Sequence, residues 1–144
     1  MRTSLSPEKL NLIESSFNRS ETLKFYHAKL IDAQKGYISI LIPKQSLMTR
    51  KHGMFNGSMI ASLVDVSSGY AAVSNYEDDC YVVTVELKVN YLNPALGDNL
   101  LSKAYTVKSG KKINVIRTEI YTVDHDLTNE KHVATSLVTM MRIK

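Results

Sequence analysis

Among the residues of this chain whose types could do chemistry, Asp65 stands in the most unusual company. It falls within residues 56–74, NGSMIASLVDVSSGYAAVS, a run with helical periodicity. At about 100° per residue it sits at the centre of an arc shared with Ser58, Ala61, Ser62, Ser68, Gly69 and Ala72. An outward helix face ordinarily carries Lys, Glu or Arg; this one carries a single acid and almost no side-chain bulk. Such a face admits close approach by another backbone or by a thin ligand. A carboxylate enclosed there must be paired, protonated or put to use, because burying an isolated charge is costly. A solvated surface aspartate is the competing reading of the same position. The other candidates are weaker. Lys108, Lys111 and Lys112 make a basic turn suited to an anion or simply to water. His27, His125 and His132 are scattered singly, and Cys80 has no basic neighbour in sequence that would make it a nucleophile. The sequence has no glycine-rich phosphate loop and no Cys/His cluster with metal spacing, so neither a metal nor a resident cofactor is expected.

The elements that must position Asp65 follow from the same pattern. Within residues 56–74, Met59, Leu63, Val66, Tyr70 and Val73 form an apolar stripe, expected to be the core-facing side. Ser6, Pro7 and Glu8 start a short N-terminal helix that runs to about Asn18, with Leu10, Ile13 and Phe17 at helical spacing. Residues 23–32 and 37–42 are strand-like and flank Gln34, Lys35 and Gly36, the pattern of a hairpin; residues 43–53 are irregular. Strand-like runs at 80–92, 99–108, 112–123 and 132–143 follow the long helix, with turn chemistry at Gly97-Asp98 and Ser109-Gly110 and a polar loop at 124–130. Consecutive antiparallel strands with one interposed helix predict an α+β fold in which the helix lies on the sheet.

At 144 residues, 44% hydrophobic and 22% charged, the chain reads as one globular domain over 1–144, with 1–20 as an N-terminal helical segment. The single Cys80 cannot form an intramolecular disulfide and fits a reducing compartment. The first twenty residues hold no secretory apolar region, and no run reaches the roughly 18 apolar residues of a membrane span. A cytoplasmic protein is expected, with no membrane partner. Eighteen basic residues against fourteen acidic ones, net +4, favour an anionic partner without choosing one. The lysine turn is not interleaved with stacking aromatics, which argues against nucleic acid.

Asn56-Gly57-Ser58, a small and apolar run, and then Leu63-Val64-Asp65 resemble the signature of hotdog-fold thioesterases. The phenylacetate-degradation (PaaI-type) acyl-CoA thioesterases look most similar; their motif is His-Gly-Gly, six residues, then Asp. Downstream, residues 84–95 end in Tyr91-Leu92-Asn93-Pro94-Ala95, similar to the family's strand followed by Tyr-Leu-x-Pro-Ala. The resemblance covers about residues 43–143. It implies a hotdog fold, an antiparallel sheet wrapped around one long central helix. It also implies a homodimer or homotetramer with active sites between subunits, and acyl-CoA as substrate, coenzyme A entering only as part of that substrate. By the same resemblance Asp65 is the catalytic carboxylate, either general base or nucleophile, and the Gly57 backbone N–H is the oxyanion donor. Thr84 matches a position that helps place the water or the carboxylate; a plain threonine on the polar strand face beside Glu86 and Lys88 is the other reading.

The sequence departs from the motif at Asn56, in place of histidine, and at Ser58, in place of the second glycine. Asparagine can cap the helix or donate its amide to a carbonyl, but it cannot titrate near neutrality. His52 precedes the motif by one helical turn and is read as a loop residue near the thioester. The lysine turn, or Arg50-Lys51, would meet the 3′-phosphate-ADP of coenzyme A. The two substitutions also motivate a different function, a hotdog protein that binds acyl-CoA without hydrolysing it. A dehydratase is disfavoured because no histidine lies on the long helix, and an acyl-responsive regulator because no DNA-binding helices precede the fold.

Overall fold

Serine hydroxyls start both helices of the N-terminal segment in the computed structural model, which describes residues 2–144. Ser6 accepts from the Lys9 amide at 3.1 Å and opens α1, Pro7–Arg19, with proline at its first position. Ser20 does the same for Leu23 and opens a second short helix, α2, Glu21–Phe25. Residues 23–25 were expected to begin a strand. The Ser20 cap and Glu21 in the first turn make them helical, and β1 starts at Lys29 after His27 adopts a left-handed φ of 52°.

The hairpin of β1, Lys29–Gln34, and β2, Tyr37–Pro43, forms as expected and turns at Gly36, whose φ of 74° needs a glycine. The irregular stretch contains two short 3₁₀ turns, Ser46–Met48 and Lys51–Gly53. Asn56 then caps the long helix α3, Gly57–Val73. Four long strands complete the fold: β3, Val82–Tyr91; β4, Asn99–Ser109; β5, Ile113–Val123; and β6, Lys131–Arg142.

The six strands make one antiparallel sheet in the order β1-β2-β4-β5-β6-β3, which packs one face against α3. Register shifts interrupt four of its strand pairs and bend the sheet around the helix. This is the hotdog arrangement. Ile38, Ile40, Leu100, Ile116, Ile120 and Val138 are fully buried on the sheet and meet Ile60, Leu63 and Val64 of α3.

The helix is rotated from the stripe expected for it. The buried residues are Met59, Ile60, Leu63, Val64, Ser67, Ser68, Ala71 and Ala72, whereas Val66, Tyr70 and Val73 are half-buried. Two core-facing serines explain the difference. Ser67 meets the Ser102 hydroxyl at 2.6 Å and Ser68 meets the Thr118 hydroxyl at 2.8 Å, so small polar residues face the sheet with their hydrogen bonds satisfied. Val66, Tyr70 and Val73 are thereby turned toward the flank that carries Asp65.

Candidate active site

Asp65 is neither buried nor freely solvated: it is half-exposed in the wall of a recess of about 280 Å3 between α3, α2 and the start of β3. The Thr84 hydroxyl donates to its Oδ1 at 2.6 Å. This contact depends on a bulge. β3 pairs with β6 in one register through Thr84↔Met140 and in another from Glu86↔Thr139, with Val85 as the extra residue. Val82 and Thr84 therefore point inward before the bulge, and Leu87 and Val89 point inward after it. Thr84 lies on the opposite strand face from Glu86 and Lys88, on the side of the helix. The rest of the recess is mainly apolar, with Leu23, Val66, Val73, Val82 and Met140 around the carboxylate.

Gly57 belongs to a different recess. It is the first residue of α3, where amides have no partner inside the helix and the macrodipole is positive. Tyr91, near the end of β3, lies over it: a Cβ on Gly57 would come within 3.3 Å of the tyrosine ring, and the Tyr91 hydroxyl donates to the Gly57 carbonyl at 2.9 Å. The Pro94-Ala95 segment locks the same entry, since the Phe55 amide donates to the Ala95 carbonyl at 3.0 Å. These contacts tie the Tyr91–Ala95 segment to the start of α3. Tyr91 was legible as part of that segment, but its partner was not.

The side chain of Asn56 is occupied. Its Oδ1 accepts from the Met59 amide at 3.1 Å and from the Ser58 hydroxyl at 2.5 Å. Asparagine and serine thus replace the motif's histidine and second glycine with a closed cap, and Ser58 points its hydroxyl inward to Asn56.

Within one chain these groups do not converge. Gly57 and Asp65 are eight residues apart on a straight helix, about 12 Å along its axis, and their recesses share no lining residue. His52 is exposed in the second 3₁₀ turn at φ 64° and lines neither recess, whereas Arg50 lines that of Gly57. Lys108, Lys111 and Lys112 are exposed at the β4–β5 turn. That turn is pinned beyond the far end of α3 by the Tyr76 hydroxyl on the Gly110 carbonyl, 2.8 Å, and by the Arg142 amide on the Lys112 carbonyl, 2.7 Å. Among the described residues no helix is long and apolar enough to cross a membrane. Cys80 is buried, and burial pushes its thiol above the ordinary value against the opposing charge of Lys9.

Known proteins share this fold. A crystal structure of a thioesterase family protein from Silicibacter pomeroyi superposes with a TM-score of 0.88 at 30% identity, over 94% of this chain and 98% of that one. The E. coli PaaI protein from the phenylacetic acid degradation operon has the same fold, with a TM-score of 0.83 at 22% identity over 98% and 97% of the two chains. In sequence, the medium/long-chain acyl-CoA thioesterase YigI of Salmonella typhimurium is 24% identical over 123 residues, 75% of this chain and 76% of its own. The sequence model of the thioesterase superfamily matches residues 52–128, a span that takes in the Asn56 cap, Gly57, Asp65, the β3 bulge and the Tyr91 segment. With that match and the six-stranded sheet around α3, the chain belongs to the thioesterase superfamily and has the hotdog fold.

Proposed function

We propose that this protein hydrolyses acyl-CoA thioesters to the free acid and coenzyme A. The observation that carries the reading is the hydrogen bond from Thr84 to Asp65 at the mouth of an apolar recess. It leaves Asp65 Oδ2 to take a proton from water, with apolar walls beside it for an acyl group. Water attacks the thioester carbonyl carbon and Asp65 accepts its proton. The C–S bond then breaks, and the coenzyme A sulfur leaves with that proton. The same carboxylate could instead attack the carbonyl as nucleophile, expelling the coenzyme A thiolate and giving an anhydride that water opens at the aspartyl carbonyl; single-turnover reaction in ¹⁸O-water then loads label onto Asp65, which the general-base route never does.

The oxyanion donor is the Gly57 amide of a second copy. The 12 Å between Gly57 and Asp65 in one chain supports this assignment, as does the absence of shared lining between their recesses. A homodimer or homotetramer follows from the reading. Asn56 holds the first turn so that the Gly57 amide keeps its direction, with Ser58 tied to the cap. Arg50 beside Gly57, and the exposed Lys108, Lys111 and Lys112, are assigned to the phosphates of coenzyme A, with His52 at the same loop edge. No resident cofactor takes part.

A thiol-release assay over a panel of acyl-CoA esters tests the reading, with Asp65→Asn beside the wild type. Turnover that the substitution lowers by about 10²–10⁴-fold is expected. Wild-type rates in Asp65→Asn would remove Asp65 from the mechanism. Binding of the esters with no thiol release would make the protein a carrier instead.

A further inference from the structure

The apolar recess beside Asp65 has an end wall, and its construction bears on which acyl groups enter. Tyr70, Val73 and Tyr81 line that recess, and the same three residues line a second cavity of about 290 Å3 between α1 and the C-terminal half of α3. One layer of side chains therefore separates the two spaces. Tyr70 is the braced member of that layer. Its hydroxyl lies 3.2 Å from the Ser16 hydroxyl of α1, and its ring packs against Phe17 with centroids 5.8 Å apart. Beyond it the second cavity continues past Leu12, Ile13 and Cys80, with Lys9, Arg19 and Asp79 also in its lining.

The way to that wall runs over a glycine. Asp65, Gly69 and Val73 follow one another at i, i+4 and i+8 on one helix face, and all three line the recess. A Cβ placed on Gly69 meets nothing within 4 Å, and its φ is not left-handed. Neither packing within the chain nor backbone conformation requires glycine there, although glycine weakens a helix interior. What it does supply is depth in the recess, one turn beyond the carboxylate.

We infer that Tyr70 sets the longest acyl chain the recess accepts and that Gly69 keeps the passage to it open. This rests on the acyl-CoA reading above and names its specificity residues. An acyl group whose carbonyl lies at Asp65 runs over Gly69, along Val66 and Val73, and stops against the Tyr70 ring. Removing the ring joins the recess to the second cavity, where Leu12 and Ile13 can cover further methylenes.

The test is kcat/KM for acetyl-, octanoyl- and dodecanoyl-CoA in the wild type, Tyr70→Phe, Tyr70→Ala and Gly69→Leu, with calorimetric affinities of the same esters and a melting curve for each variant. Each methylene newly buried is worth about fourfold. Tyr70→Ala should therefore raise the dodecanoyl-to-octanoyl ratio about tenfold or more, while Tyr70→Phe, which keeps the ring, does not raise it. Gly69→Leu, filling the passage, should lower the octanoyl-to-acetyl ratio about tenfold. Wild-type ratios in folded Tyr70→Ala and Gly69→Leu would overturn the inference while leaving hydrolysis standing. If Tyr70→Ala does not fold, Gly69→Leu decides. If the wild type releases no thiol from any ester, hydrolysis is what fails, and the same ratios read from the affinities decide the channel. Failure to bind any ester overturns both.

Discussion

The Thr84 hydroxyl donates a 2.6 Å hydrogen bond to Oδ1 of Asp65, joining the edge strand β3 to the central helix α3 at the candidate site. It holds one carboxylate oxygen and so aims the other. A bond of this kind to a charged acceptor is worth about 1.5–3 kcal/mol when sheltered, and less here because Thr84 is exposed. Thr84→Val should lower kcat about tenfold with little change in KM, and Thr84→Ser should restore most of it. Steady-state kinetics on one good acyl-CoA ester check this. A wild-type rate in the valine variant with a loss in the serine variant would show that the methyl group, and not the hydroxyl, matters.

A composite site predicts complementation between inactive chains. Proline at Gly57 removes the proposed donor N–H while remaining compatible with a first helical position. Asn56, at φ −75° and ψ 155°, already has the extended backbone that a residue before proline requires. Gly57→Pro should cost about 10²–10³ in kcat. Its Cβ would press on the Tyr91 ring, so the melting temperature is measured alongside. Refolding Gly57→Pro together with Asp65→Asn should recover about a quarter of wild-type activity. Half the dimers would be mixed, and each would carry one intact site. No recovery in a mixture shown to contain mixed dimers would place both groups in one chain.

The serines beneath α3 make a stability prediction. Ser68 and Thr118 are fully buried and satisfy each other across 2.8 Å. Ser68→Ala strands the Thr118 hydroxyl and should cost about 1–3 kcal/mol in denaturant unfolding. The double variant Ser68→Ala/Thr118→Val should recover most of that loss, because no polar group is then left unpaired. A double variant as unstable as the sum of the singles would trace the cost to packing.

Cys80 should be slow to react. Burial raises its thiol above the ordinary value, and Lys9 only partly offsets this. At pH 8 the native protein should modify with an aromatic disulfide reagent at least about tenfold more slowly than the unfolded chain. Because the folded value is the higher one, folding stability is retained below the unfolded thiol's value of about 8.5 and falls as pH rises through it toward the folded value. A native thiol as reactive as the unfolded one would contradict both statements.

Much of this protein is decided by local patterning. The serine and asparagine caps, Pro7 at the first turn, the Gly36 hairpin and the four long strands are set by residues near one another in the chain. The element order and the family signature follow from them. The small residues around Asp65 were legible for the same reason, but two of that arc, Ser68 and Ala72, are buried against the sheet and do not share its outward face. Periodicity could not tell which stripe of α3 meets the sheet. Ser67 and Ser68 are buried because Ser102 and Thr118, on strands far along the chain, supply their hydrogen bonds. Nor could alternation place Thr84. One extra residue at Val85 reverses the strand's inward parity, and a bulge is set by the register with β6, not by β3 alone. The wall at Tyr70 likewise exists only because α1 folds back to brace it. What the chain specifies locally is which residues could act; which of them meet is settled by long-range packing and strand register, where the contacts lie dozens of residues apart.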